Sequence, residues 1–407
     1  MSTAPIIDLQ ILRSRALSEA ESKRALVREI GDTLHTNPEV AFEEHKSSEY
    51  LAEVLESSGF EVSRRYCGLP TSFKAWASGE GPGPTLALIA EYDALPVVGH
   101  GCGHNLIAAA AVVAAVALKP LLPEVAGQLV LIGAPAEESG GGKALLVERG
   151  GFDGVDAAMI VHPSHQSFVR LRSLAWEPVR ISFRGKSSHA SASPEKGINA
   201  LNALIETFNS INALRQHVTS DVRIHGVITH GGEAPNVVPA LATADFLIRA
   251  ATVSYLKEVV EKVKRCAEGA ALATGATLEF EITGPTYAPM KSNPPLEEAY
   301  ARNMNTVGLC GRIEERTGGL GSTDVGNVSQ VVPTVHPFFS ISSTPIASHS
   351  IEFAQAAASD FAYDQTLRVA EAMALTCVDL WCDADLLARV KEAFARGGDD
   401  RTGYACR

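Results

Sequence analysis

The chain has 407 residues, more than a single hydrophobic core of roughly 250–300 residues holds, so two domains are expected. A hydrophobic content of 46% against 20% charged residues excludes a disordered or fibrous protein. The net charge of -12, from 35 Lys and Arg against 47 Asp and Glu, excludes the basic surface that neutralises phosphates, so no nucleic-acid partner is expected.

In chain order, the start Met1–Asp8 has no basic segment leading into an apolar one, which predicts an unexported, cytoplasmic protein. Residues 18–35 and 46–59 carry helical periodicity, the second ending at Ser57-Ser58-Gly59 before the strand-like Phe60-Glu61-Val62. Short apolar runs over Thr85–Glu91, Gln128–Ile132 and Asp156–Val161 then alternate with helical patterns over Leu106–Leu118 and Gly142–Arg149. That alternation predicts an α/β sheet covered on both faces, with binding groups at the carboxyl ends of its strands. The Ala-rich Leu106–Leu122 falls short of the roughly 20 residues a membrane span needs, so no membrane partner is expected. The seven cysteines are odd in number and scattered, unlike a disulfide framework, and all but Cys102 read as packing or surface thiols.

From about Trp176 the pattern becomes α+β. Val179–Phe183, a helix over Ile198–Leu214, strands near Val222–Thr229 and Ala244–Ala250, a helix over Ser254–Leu272 and a strand Thr277–Ile282 give the ferredoxin-like β-α-β-β-α-β order. After Pro289 and Asn293-Pro294-Pro295, patterns over Leu296–Val307, Phe338–Ile341, Phe361–Leu380 and Ala384–Ala395 suggest a return to the first domain. Residues 1–173 and 290–407 are thus expected to form one domain, with 174–289 inserted.

The chemistry gathers at predicted strand ends. Glu91-Tyr92-Asp93-Ala94-Leu95-Pro96 leads to His100-Gly101-Cys102-Gly103-His104-Asn105, where a thiol and an imidazole on a glycine-broken loop can turn toward one ion. The competing reading is a flexible turn with a buried Cys. Glu137 and Glu138 follow a strand and would repel each other unless a metal binds one and leaves the other as base; the plain alternative is a solvated pair at a helix start. His162 and His349, each after an apolar run, complete a plausible donor set, although a lone histidine is more often structural.

The strings EYDALP, HGCGHN, APAEESGGG, HP after an apolar strand, GKSSHASASPEKGINAL, APNVVP, GSTDVGNVS and SHSIEF occur in this order. Together they resemble the aminoacylase/carboxypeptidase family of dinuclear metallopeptidases, in its branch of auxin-conjugate, hippurate and p-aminobenzoyl-glutamate hydrolases and related dipeptidases. The similarity runs from His35-Thr36-Asn37-Pro38-Glu39 to the last helix. It implies a phosphorylase/hydrolase-like α/β catalytic domain with an inserted ferredoxin-like lid and dimerisation domain, hence a homodimer or higher homo-oligomer. By position it implies metal ligands at Cys102, His104, Glu138, His162 and His349, with Cys102 bridging two divalent ions, Zn²⁺ or Mn²⁺, and Glu137 as general base. His189 would reach a neighbouring subunit's site and stabilise the oxyanion, and Asn236 and Arg249 would hold substrate carbonyl or carboxylate. Read from residue type alone, these three are equally well a turn histidine, a turn asparagine and a strand-end salt-bridge arginine. The chain departs from the wider family at Glu91-Tyr92-Asp93, which lacks a ligand histidine, so Asp93 is read as orienting an imidazole. Asn105 stands where many relatives have Asp, as in the aminobenzoyl-glutamate and dipeptidase-like members. His225 and His230 are read as structural.

The expected function is hydrolysis of the amide of a small N-acyl amino acid, aminobenzoyl-glutamate-like or dipeptide substrate. The alternatives are a deaminase or ureido/carbamoyl hydrolase on another C–N bond, including an aryl amine, and a non-catalytic metal- or partner-binding protein on the same fold.

Overall fold

The computed structural model describes residues 9–170, 172–313 and 321–397; Met1–Asp8 and Cys406 lie outside them. The chain divides into two compact units. Among the described residues, one comprises 9–170, 172, 290–313 and 324–397, the other 173–289 and the short segment 321–323.

The first unit is built on a six-stranded sheet in the order Glu61–Arg64, Phe73–Ser78, Gln128–Gly133, Thr85–Ala90, Ala157–Met159, Thr334–Val335. Phe73–Ser78 is antiparallel to both neighbours and the remaining pairings are parallel. Sequence reading passes over this strand, although buried Phe73, Ala75 and Ala77 alternate with half-buried Lys74 and Trp76. Alternation also decides which way the central strands face. Leu86, Leu88, Leu129 and Leu131 join a core with the helices Leu9–Ser22, His104–Leu118 and Asp360–Cys382. Ala87, Ile89, Val130 and Ile132 join another with Leu146, Val325 and Val328 from the helices Gly142–Glu148 and Val325–Val331. Both faces are therefore covered, as continuous apolar strands require.

Three expectations are corrected. Residues 18–35 are not one helix but parts of two, Leu9–Ser22 and Arg24–Thr36, because Lys23 leaves helical geometry at φ -98°, ψ 11°. The strand expected over Asp156–Val161 is confined to Ala157–Met159, and His162–Ser164 instead pairs in parallel with Phe338–Ser340, setting His162 opposite Phe338. The apolar run beginning near Leu106 is longer than it reads: His104–Glu124 forms 21 helical residues, long and apolar enough to span a membrane. Every residue from His104 to Leu118 is buried inside the unit, which accounts for that hydrophobicity as a core helix.

The second unit has the expected ferredoxin-like order. Ala175–Arg184, Ala200–Leu214, Arg223–His230, Leu241–Ala250, Val253–Thr274 and Thr277–Ile282 follow as β-α-β-β-α-β. The four strands form one antiparallel sheet in the order Thr277–Ile282, Ala175–Arg184, Leu241–Ala250, Arg223–His230. Its long helices begin at side-chain caps, Asn199 accepting from the Asn202 N–H and Thr252 from the Tyr255 N–H. Ile181, Phe183, Ala244, Phe246 and Ile248 pack against Leu204, Ile211, Leu256 and Val263 from those helices.

Candidate active site

The carboxyl ends of the parallel strands in the first unit deliver the chemistry. Thr85–Ala90 leads into Glu91 and Asp93, Gln128–Gly133 into Glu137 and Glu138, and the core helix opens with His104. Two of the connecting loops work only with unusual backbone. Gly103 has φ +74°, and a Cβ there would lie 2.8 Å from Pro163 Cγ, so glycine alone lets the Cys102-Gly103-His104 turn press against His162-Pro163. Ala136 is non-glycine yet sits at φ 59°, directly before the glutamate pair. Its N–H donates at 2.9 Å to Glu44 Oε1, whose other oxygen accepts from Thr71 Oγ1 at 2.7 Å. His349 is also left-handed, at φ 64°, with its N–H donating to Gly101 O at 2.9 Å. Strained non-glycine residues persist where surrounding structure over-determines them, and here two of them carry or precede candidate ligands.

Those loops converge. The ligand atoms of Cys102, His104 and His162 lie within 4.8 Å of one another, and so do those of Cys102, Glu138 and His349. Cys102 belongs to both groups. His104, Glu137 and Glu138 form a further group at the same spacing. Glu138 faces a histidine from each side, with Oε1 3.9 Å from His104 Nε2 and Oε2 3.7 Å from His349 Nε2. His104 Nε2 and Glu138 Oε1 are buried without a hydrogen-bond partner. Orphaned buried polar atoms are uncommon, and here they belong to a thiol, imidazole and carboxylate set that suits a borderline divalent cation.

Asp93 organises this set. Its Oδ1 lies 2.9 Å from His104 Nδ1, which leaves Nε2 facing the other donors, and its Oδ2 accepts from the Glu138 N–H at 2.9 Å. Burial disfavours a charged His104, yet Asp93 and Cys102 override it and hold its pKa well above the usual value. His162 lacks such a partner, and burial together with nearby His104 lowers it to about 4. Asp93→Ala is expected to weaken cation binding about 10–100-fold, the usual cost of removing a carboxylate that orients a ligand histidine. Competition against a chromophoric chelator measures this; affinity within twofold of the parent protein would show that His104 needs no such support.

Sequence reading leaves Glu91, Lys143 and Asp324 without roles, and the structure joins them. Lys143 Nζ lies 2.6 Å from Glu91 Oε1 and 2.7 Å from Asp324 Oδ1, with all three side chains fully buried. Carboxylate oxygens of Glu91, Glu137 and Asp324 fall within 4.8 Å of one another. Burial, with Glu91 and Asp324 close by, pushes the Glu137 carboxyl well above the usual range. One signal was available: a lysine in the first turn of a helix opposes the helix dipole and calls for a nearby anion. Asn105 is engaged by the fold, its amide donating to Gly31 O at 3.2 Å and Ala357 O at 3.0 Å.

The second unit holds the remaining candidates. His189 and Asn236 are exposed on adjoining loops, bridged through His189 and Val237 and by the Ala190 N–H donating to Asn236 O at 3.0 Å. His189 Nδ1 accepts from the N–H groups of Ser191 and Ala192 at 3.3 and 3.2 Å, so a neutral ring carries its proton on Nε2. Arg249 is half-buried over the Trp176 ring, 5.5 Å from its centroid, and donates to Ser322 Oγ at 3.1 Å.

The peptidase dimerisation domain model matches residues 170–274. The chain is 36% identical over 406 residues to the Xaa-Arg dipeptidase of Mus musculus, covering 96% of this chain and 94% of that one. It is 31% identical to one of the p-aminobenzoyl-glutamate hydrolase polypeptides of Escherichia coli strain K12, covering 95% of each. Among solved structures, a dinuclear metal-binding peptidase of the M20 family from Bacillus subtilis matches with a TM-score of 0.61 at 21% identity, over 86% of this chain and 98% of that one, a likeness of fold.

Proposed function

The chain belongs to the M20 peptidase family, and from that premise we propose that it hydrolyses the amide of a small dipeptide, N-acyl amino acid or aminobenzoyl-glutamate-like substrate at a dinuclear metal centre, with Glu137 as general base. The observation that carries this reading is Cys102, whose sulfur is common to two three-donor groups, one with His104 and His162 and one with Glu138 and His349. With the thiol common to both groups, these residues would hold two divalent cations, and the mixture of thiolate, imidazole and carboxylate suits Zn²⁺, with Mn²⁺ as the alternative. When bound, such a pair supplies Lewis acidity toward the amide carbonyl and acidifies the attacking water.

The protein's own groups do the rest. Glu137 stands outside both three-donor groups but beside His104 and Glu138, so it is placed to take a proton from water and return it to the departing amine. One carboxyl at that place can serve both halves of the transfer. Asp93 keeps His104 Nε2 turned toward the other donors that would hold the cations. His189, with its proton on an exposed Nε2, is suited to donate to the oxyanion of a neighbouring subunit's substrate, and Asn236 and Arg249 to hold its carbonyl or carboxylate. The match to a peptidase dimerisation domain supports a homodimer. Free thiols at Cys67, Cys102, Cys266, Cys310, Cys377 and Cys382 support a reducing, cytoplasmic setting.

A substrate panel tests the reading. The metal-loaded protein is offered dipeptides ending in arginine or lysine, p-aminobenzoyl-glutamate, N-acetyl amino acids and ureido acids, and free amino acid and ammonia are measured separately. Amino-acid release without ammonia is expected. Ammonia release with every amide left intact would transfer the same centre to another C–N bond.

A further inference from the structure

Lys143 is a fully buried ammonium that the hydrolytic steps above do not use. It sits in the first turn of the helix Gly142–Glu148, where the helix dipole disfavours a cation, so local helix energetics do not explain it. Its place is nevertheless tightly built. A Cβ on Gly142 would lie 1.9 Å from Pro135 O, so glycine there brings this helix start against the segment that leads into Glu137. The Lys143 N–H donates to Asp324 Oδ2 at 2.8 Å while Nζ lies 2.7 Å from Asp324 Oδ1, so one residue grips both oxygens of that carboxylate. On its other side Nζ lies 2.6 Å from Glu91 Oε1, and Glu91 Oε2 stands 3.5 Å from His104 Nε2. The two carboxylates held by the ammonium, Glu91 and Asp324, thus stand within 4.8 Å of a third, Glu137.

We propose that Lys143 is a positioning residue for Glu137, its ammonium fixing Glu91 and Asp324 as a rigid acidic pair against which the Glu137 carboxylate is aimed toward His104 and Glu138. Removing one member of a buried ion cluster leaves the others uncompensated. Without the ammonium, the three carboxylates repel at close range. Glu91 and Asp324 are fully buried and cannot swing out, whereas Glu137 keeps partly accessible surface and is the one that turns away. Lys143 touches neither cation nor substrate in this scheme; it acts through the two anions. The inference rests on Glu137 being the base.

The test uses the metal-loaded full chain and whichever of an arginine-ending dipeptide or p-aminobenzoyl-glutamate it cleaves. Lys143→Met keeps the volume of the side chain and removes the charge. Its kcat is expected to fall about 100-fold while KM stays within about threefold and the metal content by elemental analysis is unchanged. Adding Glu91→Gln to it removes one of the repelling charges and is expected to recover about tenfold in kcat, a coupling that lost packing alone would not produce. Should Lys143→Met fail to fold, Asp324→Asn decides: it leaves the Lys143–Glu91 pair intact and is expected to lower kcat about tenfold at constant KM. A Lys143→Met enzyme within about threefold of the parent kcat, or a folded double variant no better than the single one, would overturn the inference. So would an Asp324→Asn enzyme with the parent kcat. Glu137→Gln, run in parallel, separates the two ideas. A Glu137→Gln enzyme that still turns over removes the base itself, whereas an inactive Glu137→Gln beside an active Lys143→Met removes only the positioning role.

Discussion

Glu137→Gln is expected to bind its cations as the parent does and to lose turnover by roughly 10³–10⁵-fold, combining loss of the base with loss of the returning acid. The two effects separate because Glu137 is not a member of either three-donor group that includes Cys102. Its carboxyl lies instead between the cation-facing His104 and Glu138 and the buried Glu91 and Asp324. Gln is nearly isosteric, so the left-handed turn at Ala136, held by Glu44 from one side, has no reason to relax. Elemental analysis should give the parent metal content, and a saturating-substrate assay should show the fall in kcat at nearly unchanged KM. A variant that turns over within about tenfold of the parent would mean that water is activated without this carboxylate.

How far the site was legible in the sequence depended on the kind of signal. Cys102, His104, Glu137 and Glu138 stood out because glycine-broken loops and a doubled acid interrupt apolar strands, and the structure does bring those four together with His162 and His349. The alternation of buried strands and helices was equally readable, and so was the ferredoxin-like order of the second unit. What escaped was whatever depends on partners far apart in the chain. Lys143 at a helix start calls for an anion, but the sequence does not say which until Glu91 and Asp324, far from it along the chain, close on it from a strand end and a distant loop. Asn105 marks a likeness to the aminobenzoyl-glutamate and dipeptidase-like members, but nothing in the sequence shows that its amide donates to Gly31 O and Ala357 O inside the fold. The strand Phe73–Ser78 was missed for another reason: Trp76 puts an apolar residue on the less buried face beside Lys74 and Ser78 and blurs an alternation that pairing with Gln128–Gly133 makes unambiguous.

The other large effect is expected at Cys102. In the metal-free protein burial pushes the Cys102 thiol far above its usual range, and Asp93 with Cys102 keeps His104 protonated against the pull of burial. Both must lose a proton before they can bind a cation, whereas His162, lowered to about 4, is already neutral at pH 7. The sign follows directly. Lowering the pH favours the protonated, non-binding forms, so cation affinity should rise between pH 6 and pH 8, and loading at pH 7 should release about two protons, one from each residue. Calorimetry in two buffers of different ionisation enthalpy counts them. Cys102→Ala removes a donor from both groups at once, so both cations should be weakened, turnover should fall by roughly 10³-fold or more, and loading should release about one proton fewer. Replacing His349 instead touches only one of the two groups, so that variant should keep the cation held by Cys102, His104 and His162. If Cys102→Ala took up both cations with the parent affinity and proton count, the thiolate bridge would be excluded and each cation would have to be held by the remaining imidazoles and carboxylates alone.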